Sequence, residues 1–178
     1  KDGDLVVDLL AFEDARIVSA LSLGRLRDGE PTPLPQLRRY RLRPGARRAE
    51  AEVLAEARFE LPVIDYGAVN GRPYRHVWGV GAPADGGWFD RIVATDVGTG
   101  RQQTWREPGT HPGEPVLAKR PGATREDDGV LLSVVLEPER AASSLVVLDA
   151  ATLEELARAR VPHHIPFGFH GLHTTAIR

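Results

Sequence analysis

The feature that most constrains this chain is a layout that recurs at a fixed step. "IVATDVGTGRQQTW" (92–105) and "LVVLDAATLEELAR" (145–158) each run an apolar segment into Asp-x-x-Thr and then into a second segment. Their aspartates, Asp96 and Asp149, stand 53 residues apart. An aspartate side chain can accept from the backbone two residues on, which makes it a turn initiator. The same step taken upstream from Asp96 reaches Arg43, in "RYRLRPGARRAEAEVL" (39–54). That stretch is again strand, Pro-Gly turn and strand, without the aspartate, and reads as a degenerate third copy. Hairpins at a constant step of about 53 residues predict a repeat architecture in the size range of propeller blades, the alternative being three unrelated hairpins in a sandwich.

The remaining apolar segments agree with an all-β chain. "LVVDLLAF" (5–12), "GVLLSVVLEP" (129–138) and "SLVVLDA" (144–150) are short, rich in branched residues and bounded by Gly, Pro or Asp. "ATLEELARAR" (151–160) comes nearest to a helical period and is expected to form one turn of helix running into a strand. The 178 residues suffice for one domain with a real core. No apolar run is long enough to span a membrane. Disulfides and thiolate metal sites are excluded, because there is no cysteine. A formal charge of −2 gives no reason to expect nucleic acid, and the basic stretch "QLRRYRLRPGARR" (36–48) reads as a solvated arginine face. There are 21 arginines against two lysines, the bias of a GC-rich bacterial genome. The absence of methionine makes the chain read as a piece of something larger.

The repeat also points to a site. Some 17 to 21 residues after each hairpin turn lies a polar residue beside Phe, Gly or Pro: Glu60 in "FELP", Glu114 in "GEPV" and His170 in "FHGL". Equivalent positions in propeller blades open the innermost strands, which converge on one axis. Two carboxylates and an imidazole would then face a common centre, and a histidine held by a carboxylate on its second nitrogen is a usual metal ligand.

Four blocks, in order, carry a family resemblance. "KDGDLVVDLLAF" (1–12), "FELPVIDYGAVNGRPYRHVWG" (59–79), "WREPGTHPGEPVLAKRPGATREDDGVLLSVVLEP" (105–138) and "IPFGFHG" (165–171) resemble the carotenoid cleavage oxygenases. That family includes bacterial apocarotenoid and lignostilbene oxygenases and the retinal pigment epithelium isomerase. The resemblance implies a seven-bladed β-propeller with Fe(2+) on its axis, held by four histidines, three of them braced by glutamates. This chain would be the C-terminal portion, about three blades, with 171–178 an atypical tail. His170 matches the fourth iron ligand, and Glu60 and Glu114 match two bracing glutamates; the remaining ligands would lie upstream of Lys1. The implied reaction is O2-dependent cleavage of a conjugated C=C bond of a carotenoid, apocarotenoid or stilbene into two carbonyl products. The implied partners are that apolar substrate, O2 and the N-terminal remainder of the propeller, with a peripheral membrane contact through regions outside the chain. A cytoplasmic or membrane-associated protein is expected.

The alternatives are a shortened, catalytically inactive relative and an unrelated β-repeat interaction module. His76 and His111 stand where the family has tyrosine and read as substitutions. His163 and His164 are adjacent on an extended segment and point oppositely, so both cannot join one site. His173 follows the metal motif, where the family has an aromatic. Phe167, Phe169 and Trp78 could line a substrate tunnel or form core. "GVGAPADGG" (79–87) reads as a loop, and "REDDG" (125–129) as a solvated turn.

Overall fold

A computed structural model describes residues 3–55, 59–83 and 87–174. They form three antiparallel sheets in chain order, each an up-and-down meander. Sheet 1 holds β1 (Leu5–Ala11), β2 (Gln36–Leu42) and β3 (Glu50–Ala55), with two short helices, α1 (Arg16–Ala20) and α2 (Leu23–Arg27), between its first two strands. Sheet 2 holds β4 (Phe59–Val63), β5 (His76–Gly81), β6 (Arg91–Asp96) and β7 (Gln102–Arg106), and α3 (Tyr66–Val69) lies between β4 and β5. In sheet 3 the first position is shared by β8 (His111–Pro112) and β9 (Val116–Lys119). Both pair with β10 (Gly129–Glu137), which is followed by β11 (Ala142–Asp149) and β12 (Glu155–Val161).

The expected hairpins are the last two strands of each sheet. Asp96 Oδ1 accepts from the backbone of Gly98 at 2.9 Å and of Thr99 at 3.2 Å. Asp149 Oδ1 does the same with Ala151 and Thr152, both at 2.9 Å. Each aspartate's own N–H then closes the turn on the carbonyl five residues on, Arg101 at 2.9 Å and Glu154 at 2.8 Å. The degenerate copy has no such side chain. Its turn is closed by Ala46 N–H on the Arg43 carbonyl at 3.0 Å, with Gly45 at φ +78°. Only a residue without a Cβ adopts that φ freely.

The strand alternation places two cores. In sheet 2 the residues of β5 and β6 point alternately to opposite faces, as a pleat requires. Trp78, Val80 and Ile92 pack with Leu131, Val135, Val146 and Leu148 of sheet 3. Val77 and Val93 pack on the other side with Leu37 of sheet 1 and Phe59. Sheet 2 is therefore the middle layer. Each fully buried side chain of this kind contributes about 1.5–3 kcal/mol of transfer free energy.

Polar latches join the layers. Tyr74, just before β5, donates to Asp8 of β1 at 2.6 Å, and Asp8 also takes a two-point contact from Arg39 of β2. Arg41 and Arg43 pair with Asp4, which neutralises part of the basic stretch. Lys119 of β9 pairs with Asp65 at 2.9 Å.

Two expectations are refined. The turn expected to lead 151–160 into a strand is a single one, closed by Leu153 N–H on the Asp149 carbonyl at 2.9 Å; Leu153 sits in the left-handed region at φ +58°, which ends the turn, and the chain passes into β12. "REDDG" is the expected turn, closed by Asp128 N–H on the Arg125 carbonyl, but Glu126 in it is not left to solvent. The Glu126 carboxylate accepts from the backbone of Arg75 at 3.0 Å and His76 at 2.9 Å, covering N–H groups at the start of β5 and tying sheet 3 to sheet 2. The loop expected across 79–87 begins as the end of β5, and residues 84–86 lie outside the described residues, as do 175–178 of the expected tail.

Candidate metal and ligand site

Both glutamates singled out by spacing sit where the first strand of a sheet breaks. Glu60 lies in β4, just before Leu61, whose φ is +51°, and the register with β5 slips between Glu60 and Val63. Glu114 lies in the gap between β8 and β9, where Gly113 exchanges bonds with Val134 and Ser133 instead of continuing the ladder. A proline follows each glutamate closely, Pro62 and Pro115, and proline has no N–H to give a ladder. The break frees each carboxylate from the regular alternation.

His170 reaches the same region from the other end of sheet 3. After β12 the chain runs over residues 162–174 without strand pairing among the described residues. Ile165 N–H is anchored on Ser143 Oγ at 3.0 Å, and Phe167 packs against Trp88 with ring centroids 5.3 Å apart. This brings His170 Nδ1 to 3.0 Å from Glu114 Oε1, while Gly171 N–H donates to Glu114 Oε2 at 2.7 Å. A carboxylate only accepts, so Nδ1 is the donor, and in the neutral imidazole Nε2 carries the lone pair. The Glu114 side chain is 12% exposed and that of His170 66%.

Glu60 does not touch His170. It shares with Glu114 a cavity of about 330 Å3 whose wall includes Leu61, Trp88, Phe89 and Phe167. Burial raises the Glu60 carboxyl above the usual carboxylate range, and the backbone of Leu61 partly offsets this. A second cavity, of about 490 Å3, lies on the other side of Glu114, between His170, Phe169 and the apolar side chains Leu132 and Val134. Glu114 thus lines two mostly apolar spaces, with His170 at one and Glu60 at the other.

Two of the other histidines have separate partners, and His173 lines the second cavity together with His170. His76 stacks on Trp78 at 6.0 Å and lies 3.8 Å from Asp127. His111 Nδ1 bonds the Phe89 carbonyl at 2.8 Å. His163 and His164 are exposed. Trp78 is wholly buried core, whereas Phe167 and Phe169 line both cavities. Sequence reasoning missed the Gly171 amide contact and the Trp88–Phe89 wall; the prolines after Glu60 and Glu114 were the available signal for the strand breaks.

No group of three or more metal-binding side chains forms among the described residues. His170, with one nitrogen held and the other free, fits a single ligand position of a metal.

An all-β chain of stacked antiparallel sheets, with one carboxylate-held histidine beside an apolar cavity, defines the class. The profile of the retinal pigment epithelial membrane protein family matches residues 1–175. The chain belongs to this family, that of the carotenoid cleavage oxygenases. It is 34% identical to a carotenoid isomerooxygenase of Galleria mellonella, over 96% of this chain and 36% of that protein. It is 34% identical to carotenoid cleavage dioxygenase 8 of Arabidopsis thaliana, over 89% of this chain and 29% of the other. The fold matches cobalt-substituted Synechocystis ACO with a TM-score of 0.84 and 28% identity, covering 96% of this chain and 36% of that one. The chain therefore spans about a third of the length of these relatives. No helix among the described residues is long and apolar enough to cross a membrane.

Proposed function

We propose that these residues form the C-terminal part, about three of seven blades, of a propeller that cleaves a conjugated C=C bond of a carotenoid, apocarotenoid or stilbene. One alkene and one O2 give two carbonyl products. The observation that carries this reading is the Glu114–His170 pair beside the apolar cavities, in a chain whose relatives are carotenoid-cleaving enzymes. Exposed apolar side chains on sheet 1, with Leu5 60%, Leu9 51% and Val53 50% exposed, support a larger whole in which further protein covers them.

His170 Nε2, with donors outside this chain, would hold Fe(2+), which would supply the O2 chemistry. The name of the cobalt-substituted relative supports a metal in the family. The chain's own residues have defined tasks. Glu114 accepts the Nδ1–H hydrogen bond of His170 and so fixes the ring with Nε2 turned away from the carboxylate. Glu60, from the neighbouring sheet, is placed to do the same for a histidine outside these residues. Phe167, Phe169 and Phe89 supply apolar wall against which a conjugated chain packs and from which water is excluded. We place the whole protein in the cytoplasm or at a membrane surface.

The test is turnover of the full-length protein on a panel of a carotenoid, an apocarotenoid and a stilbene, with iron quantified and both carbonyl products identified. Cleavage that tracks iron content supports the reading. An iron-loaded protein that turns over none of the three identifies a catalytically inactive relative, and an iron-free protein identifies an interaction module.

A further inference from the structure

Glu114 makes two contacts with adjacent residues, and the second is to the main chain. Oε1 takes Nδ1–H of His170 at 3.0 Å, and Oε2 takes the Gly171 N–H at 2.7 Å. The ring of Phe169 stands edge-on to the imidazole, with centroids 4.6 Å apart. One carboxylate therefore fixes both the ring and the peptide plane that carries it.

That double contact requires the chain at Gly171 to lie close against β9. A Cβ placed on Gly171 would stand 2.8 Å from Cγ2 of Val116, two residues beyond Glu114. Gly171 has no positive φ, so an alanine would meet no backbone penalty there. The obstacle is space alone. The nearest atom is also a methyl of a β-branched side chain, stiff at χ1, which cannot turn aside freely.

We propose that Gly171 is a positioning residue for the His170 imidazole, acting through the shared Glu114 carboxylate and the packing against Val116. The missing side chain lets the segment approach β9 until one carboxylate spans ring and amide. Adding a methyl lifts the segment, breaks the bond to Oε2 and lets the ring rotate about its remaining bond. This inference rests on the reading of His170 as a metal ligand, but its geometry exists without a metal.

The experiment is a cycle of Gly171→Ala, Val116→Ala and the double variant in the full-length protein. Fe(2+) and Co(2+) affinity are measured by competition. In the metal-free protein, 15N-histidine NMR reads the His170 tautomer. Gly171→Ala is expected to weaken both metals about 10–100-fold, the range for losing a partner that orients a ligand. Its Nδ1 signal should shift toward that of a solvated imidazole. Val116→Ala alone should change little, and the double variant should recover most of the affinity and the native signal. A purely structural role would move the melting temperature without moving the tautomer signal. Native affinity and a native tautomer signal in Gly171→Ala would overturn the proposal. So would a double variant no better than Gly171→Ala, including the case where the single variant fails to fold. If the wild-type protein binds neither metal, the ligand reading of His170 fails, while the NMR arm still decides the positioning claim.

Discussion

Trp78 of β5 donates its indole N–H to the carbonyl of Ala150, 2.9 Å away, in the turn that follows β11. The ring is fully buried between sheets 2 and 3, so one residue fills the core and ties the middle sheet to the Asp149 turn. Trp78→Phe keeps most of the apolar area and leaves a buried carbonyl without its partner. The expected loss is about 1–3 kcal/mol, read by urea unfolding. Trp78→Ala adds a cavity and should cost about 3–5 kcal/mol.

Gly79 sits where β4 crosses closest to β5. A Cβ there would stand 2.4 Å from the Phe59 ring and 2.5 Å from the Glu60 carbonyl. Backbone cannot yield as a side-chain tip can, so Gly79→Ala should displace β4 and cost about 1–3 kcal/mol. Thermal unfolding gives the stability, and metal affinity should fall with it because β4 carries Glu60.

Asp96 is held near pH 2 by its bonds to the Arg75 guanidinium and by the turn amide of Gly98. Its folded pKa lies below the unfolded value of about 3.9. The contribution is therefore fully present above pH 4 and lost as pH falls through about 2. Unfolding free energy followed across that range should fall more steeply in the wild type than in Asp96→Asn, the two curves converging at the acid end. Parallel curves would show that Asp96 does not carry the effect.

The hairpins were legible because Asp-x-x-Thr acts locally: Asp96 and Asp149 make their turns from their own next three residues. His170 and Glu114 were legible together because repeat spacing survives folding. What the sequence hid is non-local or short. Glu126 caps N–H groups about 50 residues away in sequence, and no local pattern reports a carboxylate's distant partner. Helices α1 and α2 have five residues each, too few to display a period of 3.6. The helical pattern of residues 151–160 yields only the single turn closed by Leu153, whose left-handed φ ends it.

Glu60 and Glu114 should separate on neutralisation. In Glu114→Gln one of the two acceptor oxygens becomes an NH2 donor, so His170 Nδ1–H and Gly171 N–H no longer each have an oxygen of their own. Glu60 has no side-chain partner among the described residues, so on the proposed function Glu60→Gln acts through a histidine outside them. Both should weaken iron within about 10–100-fold, Glu114→Gln toward the upper end, measured by chelator competition.

The account turns on His170 Nε2 as a metal ligand. The most direct measurement is the iron content of full-length His170→Ala, purified under reducing conditions beside the wild type, with Glu114 untouched. The account predicts stoichiometric iron in the wild type and loss of most of it, together with alkene cleavage, in the variant. Wild-type iron in a folded His170→Ala protein would contradict it.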